Sequence, residues 1–185
     1  VDSAAGMEAP LLVMDSAPAA VLGATFDPLV RVPPHKMIAN LGNLHTLAFR
    51  LGPEGIEGVF EHHTGLLDLP KLERLLLALA DGSLQHSDIF DDHGHGALVY
   101  ATEPLTMGEA LFDVAVTGPR RGLLKIPPST GSLRPYLAVP FGDMMIAGCI
   151  GLLSATADKM PELAEPIRAS LSGTGNSTAP WEMGA

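Results

Sequence analysis

Three apolar runs broken by glycine turns constrain this chain more than any other feature. Met37 to Gly42 reads as a strand ending in a turn, Leu44 to Leu51 as a second strand and Ile56 to Phe60 as a third. Gly52-Pro53-Glu54-Gly55 lies between the last two, and a turn of that composition between apolar runs makes a hairpin. A helix follows. Asp68 caps it, Pro70 stands in its first turn and Gly82 lies past its end. Leu69, Leu72, Leu75, Leu76 and Leu79 recur at the helical period, so one face of this helix is apolar.

The flanks continue in the same manner. Leu11 to Met14 reads as a short buried strand, and Asp15-Ser16 caps a helix of small residues from Ala17 to Ala24. Pro28 to Pro34 reads as a loop, because prolines punctuate it. Beyond the leucine helix, Ser87 to Phe90 reads as a helical turn and Phe112 to Thr117 as a buried strand stopped by Gly118-Pro119. Tyr136 to Pro140 reads as a last strand, and Gly142 to Ala155 as a helix with Ala147, Gly148 and Gly151 along one side. From Ser170 onward Gly, Ser and Thr dominate, which predicts poor order. Asn176-Ser177-Thr178 has the form of a glycosylation sequon, without meaning in a cytoplasmic protein.

Length and charge bound the function. At 185 residues the chain suits one domain, and a chain of that size buries roughly 70% of its unfolded surface. Its net charge of −10 excludes a general nucleic-acid binder, since a phosphate backbone must be neutralised by cations. Binding of one nucleotide stays open, because backbone N–H groups and helix N-termini do that work. The single cysteine, Cys149, allows no internal disulfide and points to the reducing cytoplasm. No apolar run reaches the ~18 residues of a membrane span, and Val1-Asp2-Ser3 does not begin a signal peptide. A first residue other than Met suggests a piece of a longer protein, with peptidase processing as the plainer alternative.

The order of elements resembles the second half of the actin-like ATPase superfamily of sugar kinases, heat-shock ATPases and actins. Pro18-Ala19-Ala20-Val21-Leu22-Gly23-Ala24 is similar to its first interdomain helix, and Asn40-Leu41-Gly42-Asn43-Leu44-His45-Thr46 to its phosphate hairpin. Val114 to Pro119 is similar to the strand that ends against adenosine, and Gly142 to Cys149 to the second interdomain helix. At closer range the chain resembles a prokaryotic family labelled "putative pyruvate formate-lyase activating enzyme". That likeness rests on Gly42 to Thr46, Glu61-His62-His63-Thr64-Gly65, His93-Gly94-His95-Gly96 and Pro140-Phe141-Gly142-Asp143-Met144-Met145, and covers most of residues 11 to 157. An activating enzyme of that kind holds an iron–sulfur cluster on closely spaced cysteines, and one cysteine cannot do so.

The superfamily resemblance implies an α/β fold: a ribonuclease H-like, actin-ATPase second domain with a mixed sheet, an antiparallel hairpin and helices on both faces. It divides the chain into the end of a preceding domain with a crossover helix (1–25), the actin-like domain (26–157) and a C-terminal extension (158–185). It implies ATP with Mg2+ as the ligand, a small-molecule phosphate partner and a missing N-terminal domain, with neither nucleic acid nor membrane. Two residues depart from the superfamily pattern. Asn40 stands where Asp is usual, and Gly118-Pro119 where Gly-Gly is usual. An amide accepts no proton at neutral pH and Pro lacks an N–H, so nucleotide binding is better supported than hydrolysis.

The residues themselves suggest where chemistry would sit. A glycine turn at Gly42 can aim successive N–H groups at an anion, with Asn43, His45 and Thr46 adding side-chain donors. The plainer reading is a hairpin that needs Gly for its backbone angle. Gly118 and Arg120 would serve the nucleotide, Arg120 by neutralising a phosphate or stacking on a base, unless it is a solvated loop residue. Glu61, with His63 beside it, would act as base toward an attacking water, or is a carboxylate at a strand end. If His93-Gly94-His95 is extended, both rings face one side and could hold Zn2+ or another divalent ion together with Glu61 or Asp92. Otherwise they are hydrogen-bonded polar histidines. Three functions follow as expectations: an ATP-dependent kinase or phosphohydrolase, a non-catalytic nucleotide-responsive module, and a histidine-cluster metal-dependent hydrolase.

Overall fold

The computed structural model describes residues 6, 10–101, 103–124 and 133–172. Helices α1 (Ser16–Ala24) and α2 (Pro28–Arg31) precede strands β1 (Lys36–Leu41), β2 (His45–Gly52) and β3 (Gly55–His63). Then come α3 (Leu69–Asp81), α4 (His86–Phe90), β4 (Gly96–Val99), β5 (Val114–Thr117), β6 (Pro135–Leu137), α5 (Ala147–Lys159) and α6 (Pro161–Leu171). The strands form one mixed sheet in the order β4-β3-β2-β1-β5-β6. β1 to β4 pair antiparallel, whereas β5 lies parallel to β1 and to β6. The protein is therefore α/β with a central mixed sheet.

Alternation along the strands gives each face its own core. Met37, Ala39 and Leu41 of β1 join Ala48, Phe60, Val114 and Val116 under the α3 leucines. Leu72, Leu75, Leu76 and Leu79 are almost fully buried there, and each contributes roughly 1.5–3 kcal/mol by leaving water. Ile38, Phe49 and Ala115 point the other way, against Val21 and Ala24 of α1 and Val30 of α2. Asp27 joins that side to β6: its buried carboxylate accepts hydrogen bonds from Leu29 N, Tyr136 Oη and Val139 N. Outside this core α1 packs directly on α5.

The central expectations hold. The three-stranded meander forms, and α3 is capped by Asp68, whose side chain accepts from Lys71 N, and ends at Gly82 with φ 81°. Other expectations are corrected. Leu11 to Met14 forms no strand, since it pairs with none of β1 to β6, and Val13 is 77% exposed. Pro28 to Pro34 is not all loop. Pro28 occupies the first helical turn and Asp27 caps it, which suffices for α2. The expected strand from Phe112 starts at Val114, because Asp113 is taken by Arg134 and the Gly108 N–H. The last helix starts at Ala147, after a 3-10 turn at Met144–Ile146 that Asp143 caps. β4 and α6 were not anticipated: β4 has four residues, and α6 carries Pro166 inside. Ser170 and Leu171 are helical, and the sequon at Asn176 lies outside the described residues.

Candidate functional site

The carboxyl ends of the interior, parallel β1–β5 pair define one end of the sheet. Asn40 and Thr117 are register partners, so both strands end side by side. β1 is also the point where sheet order reverses, with β2 on one side and β5 on the other, and ligands of open α/β sheets bind at strand carboxyl ends beside such a reversal. The chain after β5 is stitched to β1, since Arg120 N donates to Leu41 O at 2.8 Å. Gly118 turns there with φ 95°, and a Cβ on it would lie 2.5 Å from Leu41 O and 2.9 Å from Asn40 Oδ1. Only glycine fits that close approach. Thr117 Oγ1 is a buried side-chain atom without a hydrogen-bond partner among the described residues.

The β1–β2 turn rises from the same end. Gly42 N donates to His45 O at 3.0 Å, and Asn43 and Leu44 are exposed at the tip. Thr46 does not join them. It lies on the α3 side, fully buried, and its hydroxyl meets Thr64 Oγ1 at 2.9 Å while Thr64 donates to Gly42 O at 2.8 Å. Its role is to brace the turn from behind. Arg120 is exposed, and its neighbour Arg121 donates to Ala138 O.

Beside the turn three histidines converge. His45 opens β2 and His63 closes β3, and the two are antiparallel partners on one sheet face. His95 reaches them from the segment before β4, held by its N–H on Glu61 O at 2.9 Å. Ring centroids lie 4.9 Å (His45–His63), 4.8 Å (His45–His95) and 4.7 Å (His63–His95) apart. A carboxylate oxygen of Glu61 is 3.5 Å from His45 Nδ1. The cluster borders an open depression of about 380 Å³ over β2, β3 and β4, lined by Leu47, Val59, Glu61, His86 and Leu98 among others.

The metal set expected from His93, His95 and Asp92 is not the one brought together. His93 has φ 64°, and Gly94 N donates to Ile89 O at 2.8 Å, so the segment is a turn and not an extended strand. Asp92 is committed elsewhere, 2.8 Å from Lys71 Nζ and 3.1 Å from His62 Nε2. Bonds from Lys71 and then His62 hold its carboxyl below the usual carboxylate value. His62 points to the opposite face from His63, as strand alternation requires, and is fully buried. Sequence reasoning missed Thr117, whose only signal was its place before Gly118-Pro119. It grouped the histidines by chain proximity, whereas cross-strand pairing groups His45 with His63.

Desolvation first, and then the neighbouring rings of His95 and His45, lower the His63 pKa below the ordinary histidine value of 6.5. The unfolded chain therefore takes up its proton near that value while folded His63 stays neutral. Stability is full above that window and declines as pH falls through it, until folded His63 also protonates. In a metal-free NMR titration the His63 ring should show a midpoint below the ordinary histidine value of 6.5. A midpoint at or above that value would contradict the crowding of His63 by His45 and His95.

The family model described as "Putative pyruvate format-lyase activating enzyme (DUF1786)" matches residues 1–123. The chain is thus an α/β protein with a histidine-lined sheet end, and it belongs to that family. No curated protein matches it. Cys149, exposed on α5, is the chain's single thiol, and the residues present do not fit an iron–sulfur cluster held on several cysteines. No described helix is long and apolar enough to cross a membrane.

Proposed function

We propose that this chain is the phosphate- and nucleotide-binding half of an actin-like kinase or phosphohydrolase, taking the anion at the end of the sheet where β1 and β5 finish. The observation that carries the reading is the buried Thr117 hydroxyl beside Asn40, without a partner among the described residues, at a turn where Gly118 leaves no room for a Cβ. A buried hydroxyl without a partner costs about 1–3 kcal/mol, which a ligand oxygen at that end would recover. Further support comes from the small-residue helices α1 and α5, packed together as the superfamily's two interdomain helices would be. On this reading residues 1–25 end a preceding domain, 26–157 form the actin-like domain and 158–185 extend it. ATP would arrive with Mg2+, with Gly42, Asn43 and Arg120 facing its phosphates and Glu61 and His63 near the attacking water. Asn40 favours binding over turnover, because a carboxamide cannot act as a base.

Thr117→Val separates this reading from a purely structural role. Removing the unsatisfied hydroxyl should raise stability by about 1 kcal/mol and weaken ATP or tripolyphosphate about tenfold. Amide shifts at Gly42, Asn43, Gly118 and Arg120 on titrating millimolar tripolyphosphate would report the site. Absence of those shifts, or an unchanged affinity in the valine variant, would sink the proposal.

A further inference from the structure

We propose that His45, His63 and His95 form a binding site for one divalent transition-metal ion of the zinc class, with an open coordination position. This goes beyond the phosphate reading and does not depend on it. Antiparallel pairing fixes His45 opposite His63 on one face, and the His95 N–H on Glu61 O fixes the third ring beside them. One potential ligand nitrogen from each ring lies within 4.8 Å of the other two. A tetrahedral zinc ion with bonds of about 2.0–2.1 Å holds its ligand atoms about 3.4 Å apart. Rotation of partly exposed side chains about χ1 and χ2 closes that gap without moving a strand.

Charge supports the same conclusion. Each neutral imidazole offers one ring-nitrogen lone pair, so three converging rings supply three donors to one cation. The Glu61 carboxylate adds negative charge next to His45. Nitrogen donors select zinc, cobalt or nickel over magnesium, which prefers oxygen ligands. Among the described residues the cluster has three members, so a four-coordinate ion keeps one position for water or a ligand oxygen, the arrangement of catalytic and not of closed structural zinc sites. The ligand class that follows is an oxyanion. The β1–β2 turn at Gly42 to Leu44 immediately precedes His45, so an oxygen on the ion would lie next to that turn.

The test uses the full 185-residue chain, stripped with a chelator and titrated with Zn2+ by calorimetry and with Co2+ by visible absorption, both without nucleotide. One equivalent of each should bind, and cobalt should give the intense visible bands of a tetrahedral nitrogen-ligated ion. His45→Ala, His63→Ala and His95→Ala should each weaken zinc by about 100-fold or more, above the 10–100-fold typical of residues that only orient a ligand. His93→Ala should bind as the unaltered chain does. Unchanged thermal melts of the stripped variants would show that loss of binding is not loss of fold, and His95→Gln serves if an alanine variant unfolds, since His95 is exposed. Absence of a saturable single site, or wild-type zinc affinity in the His63→Ala and His95→Gln chains, would overturn the site. Failure of ATP to bind would leave this result untouched, so the two proposals fail separately.

Discussion

Gly151→Val should cost this protein about 3 kcal/mol or more, at or above the top of the usual range for overpacking. A Cβ at Gly151 would fall inside contact distance of Ala19 O and 2.9 Å from Gly23 N, and one at Gly23 would strike Ala147 O. The obstacles are backbone atoms of two helices in direct contact, so no side chain can rotate away and α1 must separate from α5. For a domain of this size the melting temperature should fall by about 10 °C. Gly148→Ala on the same helix is the control, because its Cβ finds only Ser16 O, at 4.0 Å. That change should be neutral, or stabilising by up to about 1 kcal/mol through helix propensity. Equal melting temperatures for the two variants would mean that the helices do not cross at Gly23 and Gly151.

Arg50→Met should destabilise by about 3–5 kcal/mol, the range for breaking a buried ion pair. Arg50 is 3% exposed in the middle of the sheet. Its Nε donates to Glu57 Oε2 at 2.9 Å, one terminal nitrogen to Ala80 O at 2.7 Å and the other to Glu103 O at 2.6 Å. The first carbonyl belongs to the last turn of α3, where a cation also meets the negative end of the helix dipole. Methionine fills most of the volume and removes all three donors, although Ala80 O keeps Leu105 N and Glu57 keeps His35 Nδ1 as partners. Arg50→Lys should also destabilise, since one ammonium cannot reproduce a planar fork directed at three partners. In urea unfolding, adding Glu57→Gln to Arg50→Met should recover about 1–2 kcal/mol, because an amide tolerates the lost partner better than a carboxylate. A fully additive double variant would contradict the pairing.

How far the sequence reached depended on the range of the interaction. α3 was legible to within two residues, because its cap, its leucine period and Gly82 are local signals. The meander was legible for the same reason: Gly52-Pro53-Glu54-Gly55 leaves antiparallel return as the short path. Leu11 to Met14 misled, because apolarity states that a segment suits a strand and not that a partner strand lies beside it. Arg50 gave no warning. A charged residue in an apolar strand reads as exposed until the α3 carboxyl end is brought over it.

The candidate site divides along the same line. Gly42, Asn43, His45 and Gly118 were visible as turn chemistry, since glycine requirements and donor-rich turns are written within a few consecutive residues. Of the metal set expected from His93, Asp92 and His95, the structure brings only His95 into the cluster, because sequence proximity stood in for spatial proximity. Strand alternation alone states that His62 and His63 face opposite ways. It cannot state that His63 meets a residue 18 positions earlier, which follows from the β2–β3 register. Local composition was therefore enough for the meander, for α1 and α3 with their caps, and for the turn. The convergence of His45, His63 and His95, the isolation of Thr117 and the burial of Arg50 came from packing, because each depends on contacts between segments that no local pattern encodes.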